Sequence, residues 1–428
     1  MRTELRIAAG LAVGALATTG CGSTPPPKPP PVISGVAARE PVVNPRPYGG
    51  ADTSFGLDVL GAWCRADPQA NLVLSPSSLA SGLGMAYLGA GGGTARAMAS
   101  VLHLPVAGGQ VLEAGLAARS AALRGLESPG ITLAESDQVW ADPSLRTQRS
   151  YLNAAATAYG AGVGQVPLLH NPDRAIREIN SAIGAATRGQ IPQLLSPGSL
   201  QNIGWVLTDA LYLHAAWARP FQASQTSPGS FTTAAGQRIS VKYLHGGDDR
   251  TARAGGWTAV ALPYRGGKLT MLALLPPAGA ANCPVPATAA LRTIAARLAT
   301  AGPKGSAAGP KGSGPTSIAL PKVNLSSRVS MKGVLSKLGM GVAFSQSADF
   351  AGLSSQACCI GLVEHAATLR VGEKGTVGSA ATAVGMTPSS AEVPSPEIAF
   401  NRPYLLLVTD TVTGEPLFLA RVTNPAAR

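Results

Sequence analysis

The stretch Gly375-Thr376-Val377-Gly378-Ser379-Ala380-Ala381-Thr382-Ala383-Val384-Gly385 limits what this chain can fold into more than any other segment. It holds no charge, no aromatic ring and no proline. Small uncharged side chains can enter a sheet without burying an unpaired charge. The lack of proline leaves every backbone donor free for a ladder. In a strand alternate residues share a face, so Thr376, Gly378, Ala380, Thr382 and Val384 would present a face with nothing costly to bury. Two readings fit this composition: a segment built to become a buried strand, or an Ala/Gly-rich surface loop.

The flanks separate the two. Upstream, Val363-Glu364-His365-Ala366-Ala367-Thr368-Leu369-Arg370-Val371 reads as a strand, followed by Glu373 and Lys374. Downstream, Phe400 to Asp410 and Pro416 to Val422 are apolar runs joined by a polar turn ending in Gly414, the pattern of a buried hairpin. This order of a His-bearing strand, an E-K-G-T hinge, a small-residue loop, Asn401-Arg402-Pro403-Tyr404, a hairpin and Asn424-Pro425 resembles the C-terminal region of the serpin family. Other blocks resemble the family in the same order. They are Asn71 to Ala90, Thr187-Arg188-Gly189-Gln190-Ile191, Leu207 to Leu213 with Trp217, Leu320-Pro321-Lys322-Val323, and Leu338-Gly339-Met340 with Ala348 to Leu353. The resemblance spans residues 50 to 428 and implies one domain of the α+β class. Helices would pack on a large central β-sheet and smaller sheets, with an exposed reactive-centre loop.

It also implies a function. A serine protease would attack the loop as a substrate and form an acyl-enzyme. The freed loop would then insert into the central sheet, and the released strain would trap the enzyme. The implied hinge is Glu373, Lys374, Gly375, Thr376, Val377, Gly378, Ser379, Ala380, Ala381 and Thr382. The family's hinge offset places the reactive bond at Ser389-Ser390. Counting back from Asn401 gives a later bond, and Met386-Thr387 is an earlier candidate. No Arg or Lys lies between Gly375 and Ile398, which argues for an elastase-like or subtilisin-like target serine protease. Val377 stands where many inhibitors carry Glu, and Gly378 where they carry Ala. A non-inhibitory serpin acting as a cell-surface binding module is therefore the alternative, and a structural surface lipoprotein a third reading. The resemblance sets Ser78, Asp209 and His365 in a cluster beneath the point where the sheet opens, with Asp209 in place of the usual Asn. A carboxylate beside an imidazole favours the charged ring, so an acid-sensitive latch is expected there.

The N-terminus reads as an export signal. Arg2 and Arg6 precede a short apolar core from Ile7 to Ala17, too short to span a membrane. Ala17-Thr18-Thr19-Gly20-Cys21 resembles a bacterial lipobox, which makes residues 1–21 a signal peptide ending at a lipidated Cys21; an ordinary secretory signal is the other reading. Either places the protein outside the cell, lipid-anchored on a bacterial membrane or secreted. Residues 22–49, with Pro25-Pro26-Pro27-Lys28-Pro29-Pro30-Pro31, read as an extended linker. Cys21, Cys64, Cys283, Cys358 and Cys359 are the five cysteines. Export permits disulfides, but the pairing is open. Cys358 and Cys359 would face opposite ways in an extended chain and so would not bond each other. The +12 net charge is scattered without a basic run, so no nucleic-acid partner is expected. No metal-ligand spacing or G-x-S-x-G elbow occurs, so neither a metal, a cofactor nor an enzyme is expected, and the domain reads as a monomer. A helix is expected after Ser54, from the spacing of Phe55, Val59, Leu60 and Trp63. Gly302-Pro303-Lys304-Gly305-Ser306 recurs at Gly309 to Ser313 and reads as an inserted surface loop.

Overall fold

A computed structural model describes residues 29–427 except 107, 202, 247–249, 301–316 and 377–396. Cys21, the Gly302–Ser313 repeat, the hinge beyond Thr376 and both serines of the expected reactive bond therefore lie outside the described residues.

Three sheets and a shell of helices form an α+β fold. The largest sheet runs in the order Val32–Ile33, Val163–Gln165, Gln138–Ala141, Trp205–Ala216, Gly375–Thr376, Val363–Gly372, Val323–Ser330, with Ile131–Glu135 also on Trp205–Ala216. A six-stranded sheet runs Leu72–Leu74, Pro416–Val422, Tyr404–Asp410, Leu269–Leu275, Trp257–Pro263, Arg250–Ala254. A four-stranded sheet runs Glu397–Ala399, Ser317–Pro321, Arg238–Gly246, Ser227–Thr232. The two apolar runs near the C-terminus pair antiparallel from Tyr404↔Val422 to Thr409↔Pro416. Gly414 turns between them at φ 77°, which a glycine adopts without steric cost.

The large sheet is sandwiched. Its inner face and the six-stranded sheet share a core that includes Leu211, Leu213, Val260, Leu369 and Phe418. Helix Pro172–Ala186 lies on the opposite side. Its Ile176, Ile179 and Ile183 recur at helical spacing and pack with Val206, Ala210 and Ala366. Because Ala210 and Ala366 belong to neighbouring strands paired to each other, this helix covers the seam between them.

Helix Pro76–Tyr87 is buried along its whole length under the same seam. Ser75 caps it, accepting a hydrogen bond from the Ser78 amide, and Pro76 sits in the first turn, where its missing N–H costs nothing. Its small residues let other elements come close. A Cβ at Gly84 would stand 2.1 Å from the Tyr159 hydroxyl.

Two expectations need correction. The first helix spans Arg46–Ala66, starting well before Ser54, because Pro47 is tolerated in a first turn. The proline-rich stretch out to residue 49 is not a free linker throughout. Val32–Ile33 adds an edge strand against Val163 and Gly164. The Val36 and Ala38 amides donate to Asn153 Oδ1 and Thr157 Oγ1, each at 2.9 Å.

Candidate functional site

The site is the seam between Trp205–Ala216 and Val363–Gly372. Over its lower half the two strands pair directly and in parallel, from Val363↔Leu207 to Ala367↔Leu211. At the upper end a wedge separates them. Gly375–Thr376 turns back from the strand it follows, pairing Thr376 with Val371 on one side and Ala215 on the other, with Gly375 opposite Gly372 and Ala216. The hinge thus enters the sheet antiparallel to both neighbours, and Thr376 is the last residue described before Glu397. Gly375 has φ 152°, and a Cβ there would lie 2.1 Å from the Ala215 carbonyl oxygen, so glycine is needed at the entry. Thr376 is 1% exposed. Its hydroxyl bonds the Tyr264 hydroxyl, also buried. The Thr376 side chain therefore points into the core.

An aromatic and ionic clamp surrounds the wedge. Trp217 stacks on Tyr264 with centroids 4.5 Å apart and meets Phe221 edge-on. Its indole N–H donates to the Gly372 carbonyl at 2.9 Å and its amide to the Lys374 carbonyl at 2.9 Å. Lys322 Nζ holds the Glu373 carboxylate at 2.7 and 2.9 Å, and Thr226 adds a hydroxyl at 3.1 Å. Burial alone would raise the Glu373 carboxyl, but the bonds from Lys322 keep it below its ordinary range. Hinge residues Glu373, Lys374, Gly375 and Thr376 are thus at the upper end of the seam.

Ser78, Asp209 and His365 meet beneath the closed half. His365 and Asp209 are register partners across the seam. Asp209 Oδ1 lies 3.1 Å from His365 Nδ1 and accepts from the Ser78 hydroxyl at 2.6 Å. The Ser75 amide donates to His365 Nε2 at 3.1 Å, so that nitrogen carries no proton and the ring is the neutral Nδ1–H tautomer. A second ring proton, which an acid-sensitive latch would need, would point at that N–H.

A fourth member, Asp137, was not read from sequence. The strand pairing keeps one register from Glu135↔Leu211 to Gln138↔Thr208, which sets Asp137 opposite Asp209 with both carboxyls on one face. Asp137 Oδ1 lies 2.7 Å from Ser78 Oγ, while Oδ2 is buried and unpartnered. A hydroxyl has one proton to give and two carboxyl oxygens within bonding distance. One carboxyl must hold a proton, and Asp137 is the holder. Burial, then the nearby Glu135 and Asp209, push it well above the usual carboxylate range. The chain of donors therefore runs Asp137 to Ser78 to Asp209, with His365 closing on Asp209 from the other side of the seam. Its signal in the sequence was an acidic pair, Glu135 and Asp137, inside an otherwise strand-like run.

These features meet a family. The profile described as Serpin (serine protease inhibitor) matches residues 50–425. The chain belongs to the serpin family. An uncharacterized serpin-like protein of Thermococcus kodakarensis is 30% identical over 390 residues, covering 90% of this chain and 86% of the relative. The leukocyte elastase inhibitor of Bos taurus is 26% identical over 390 residues, covering 88% and 98%. Among solved structures, the native-state thermophilic serpin tengpin is similar in fold, with a TM-score of 0.74 at 21% identity over 92% of this chain and 97% of that one. Manduca sexta serpin-12 gives 0.71 at 21% identity over 88% and 99%. The family is described as one of serine protease inhibitors. Among the described residues no cluster of His, Cys, Asp or Glu is suited to a metal, and no helix is long and apolar enough to cross a membrane.

Proposed function

We propose that this serpin is a suicide inhibitor of a serine protease, trapping it by inserting the cleaved loop into the seam. The observation that carries the reading is the wedge itself. Gly375 and Thr376 already occupy the first two rungs of a new strand, with Thr376 facing the core. The inserted strand keeps that register, so Ala380 comes opposite Leu211 and Val384 opposite Leu207. Thr376, Gly378, Ala380, Thr382 and Val384 then share the buried face. Insertion breaks the direct pairing of Val363–Ala367 with Leu207–Leu211 and replaces it with two new ladders. Residues 377–386 travel roughly 33 Å at ~3.3 Å each, carrying an acyl-linked enzyme with them. Glycine at 378 costs about 0.5–1 kcal/mol of chain entropy, little beside ladder bonds of about 1 kcal/mol each.

The reactive bond is proposed at Ser389-Ser390, with Met386-Thr387 as the earlier candidate. Neither puts a cation before the bond, which suits an elastase-like or subtilisin-like enzyme. A relative named leukocyte elastase inhibitor agrees with that preference. We place the domain on the outer side of a bacterial membrane through lipid on Cys21, at the end of its signal peptide. A panel of serine proteases mixed with the soluble domain tests the inhibitory reading. The expected result is an SDS-resistant band with an elastase-like or subtilisin-like member. Loop cleavage by every protease with no such band would instead favour a non-inhibitory binding module.

A further inference from the structure

Cys358 and Cys359 lie in the irregular segment leading into Val363–Gly372. An extended chain would set their sulfurs on opposite faces. Here the two Sγ atoms stand 2.8 Å apart without a bond between them. That separation is well inside an ordinary heavy-atom contact of about 3.5–4.0 Å. Both residues are free thiols and partly exposed. Cys358 also donates to Gln346 Oε1 at 3.0 Å. Cys359 faces a small internal cavity of about 20 Å³ that it shares with Trp205, Leu207 and Ile360.

The same chain carries a Cys64–Cys283 disulfide. For a second pair of thiols, a small-molecule disulfide is the simplest class of electron acceptor. We propose that Cys358 and Cys359 are a two-electron redox site, closing reversibly to a vicinal disulfide at the foot of the seam. Burial pushes the Cys359 thiol up to about 11, which leaves Cys358 as the thiol that begins exchange. Its thiolate attacks a small-molecule disulfide, forming a mixed disulfide and releasing one thiol. Cys359 then loses its proton and attacks the Cys358 sulfur, releasing the second thiol. Two cysteine thiols are oxidised, and one donor disulfide is reduced to two thiols.

The position gives the pair something to control. The Ile360 amide donates to the Ala343 carbonyl at 3.0 Å, and the Met331 amide to the Val363 carbonyl at 2.9 Å. Only this short tether separates the thiols from Val363, where the parallel pairing with Leu207 begins. Closing a ring through the Cys358-Cys359 peptide removes freedom from the tether and slows local opening of the strand it feeds.

The test uses the full chain and oxidised glutathione under native conditions, followed by mass analysis of the peptide spanning both cysteines. The expected product is lighter by two hydrogens and carries no glutathione. Dithiothreitol restores it while Cys64–Cys283 stays closed. Cys359→Ser should instead stop at a stable glutathione adduct on Cys358. An unmodified wild-type peptide, or one with an adduct on each cysteine, overturns the redox pair. Hydrogen exchange at amides 363–367 should be several-fold slower in the disulfide form. Identical exchange in the two forms would overturn the coupling to the seam.

Discussion

Replacing Asp137 with Asn probes the buried proton beneath the seam. In the closed domain Asp137 gives its proton to Ser78, which donates in turn to Asp209. Glu135 and Asp209 face the Asp137 carboxyl as like charges. Nearby Arg119 is committed to Asp52, Glu415, Ser81 and the Ser77 carbonyl. The imidazole of His365 is the neutral tautomer set by the Ser75 amide. Asp137 is raised in the folded state, so the folded domain holds a proton that the unfolded chain releases above its reference pKa of about 3.9. The stability this proton provides is complete below that reference value and is lost as pH rises toward the folded pKa. Each pH unit in that window costs about 1.4 kcal/mol. An Asn amide donates to Ser78 at every pH, and so removes the slope while keeping a hydrogen bond worth about 1 kcal/mol. Urea midpoints of the intact domain, measured from about pH 4 upward, should fall faster with pH in the wild type than in Asp137→Asn. At neutral pH the variant should be the more stable. Parallel curves, or a variant less stable than wild type at neutral pH, would refute the proton-sharing argument.

Three further outcomes follow from the same contacts. Thr376→Arg places a guanidinium where a 1%-exposed threonine meets Tyr264, at a cost of several kcal/mol; the variant should be cut as a substrate and release active protease. Arg119→Leu leaves Asp52 and Glu415 buried without their common partner and should cost about 3–5 kcal/mol in denaturant unfolding, whereas a loss under about 1 kcal/mol would show the triad to be dispensable. Cys21→Ala should abolish membrane retention, and fractionation identical to wild type would rule out lipid at that position.

Much of this architecture can be read from local patterns. The hairpin Tyr404–Asp410 and Pro416–Val422 carries long apolar runs and a glycine turn, and both strands are almost wholly buried. Ser75-Pro76 marks the start of a helix that small residues let sink into the core. Thr376 faces inward, on the side that alternation assigns it. What escaped depends on tertiary placement. The Cys64–Cys283 disulfide joins residues 219 positions apart, a distance at which spacing carries no signal. Cys358 and Cys359 converge because their segment is irregular rather than extended. Asp137 looks like a surface acid in sequence, and only its place opposite Asp209 in the strand pairing brings it under the sheet. The early start of helix Arg46–Ala66 was masked by a proline that punctuates a linker in one context and fits a helical first turn in another.

The central claim is that the loop completes a strand begun at Gly375 and Thr376. The most direct measurement is the thermal midpoint of the domain before and after a single cut in the loop, with both fragments retained. Roughly ten more residues entering the sheet, at about 1 kcal/mol per net hydrogen bond, give about 10 kcal/mol. At about 2 °C per kcal/mol for a large domain, the cut protein should melt roughly 20 °C higher than the intact one. An unchanged or lower midpoint after cleavage would contradict insertion, and with it the inhibitory mechanism.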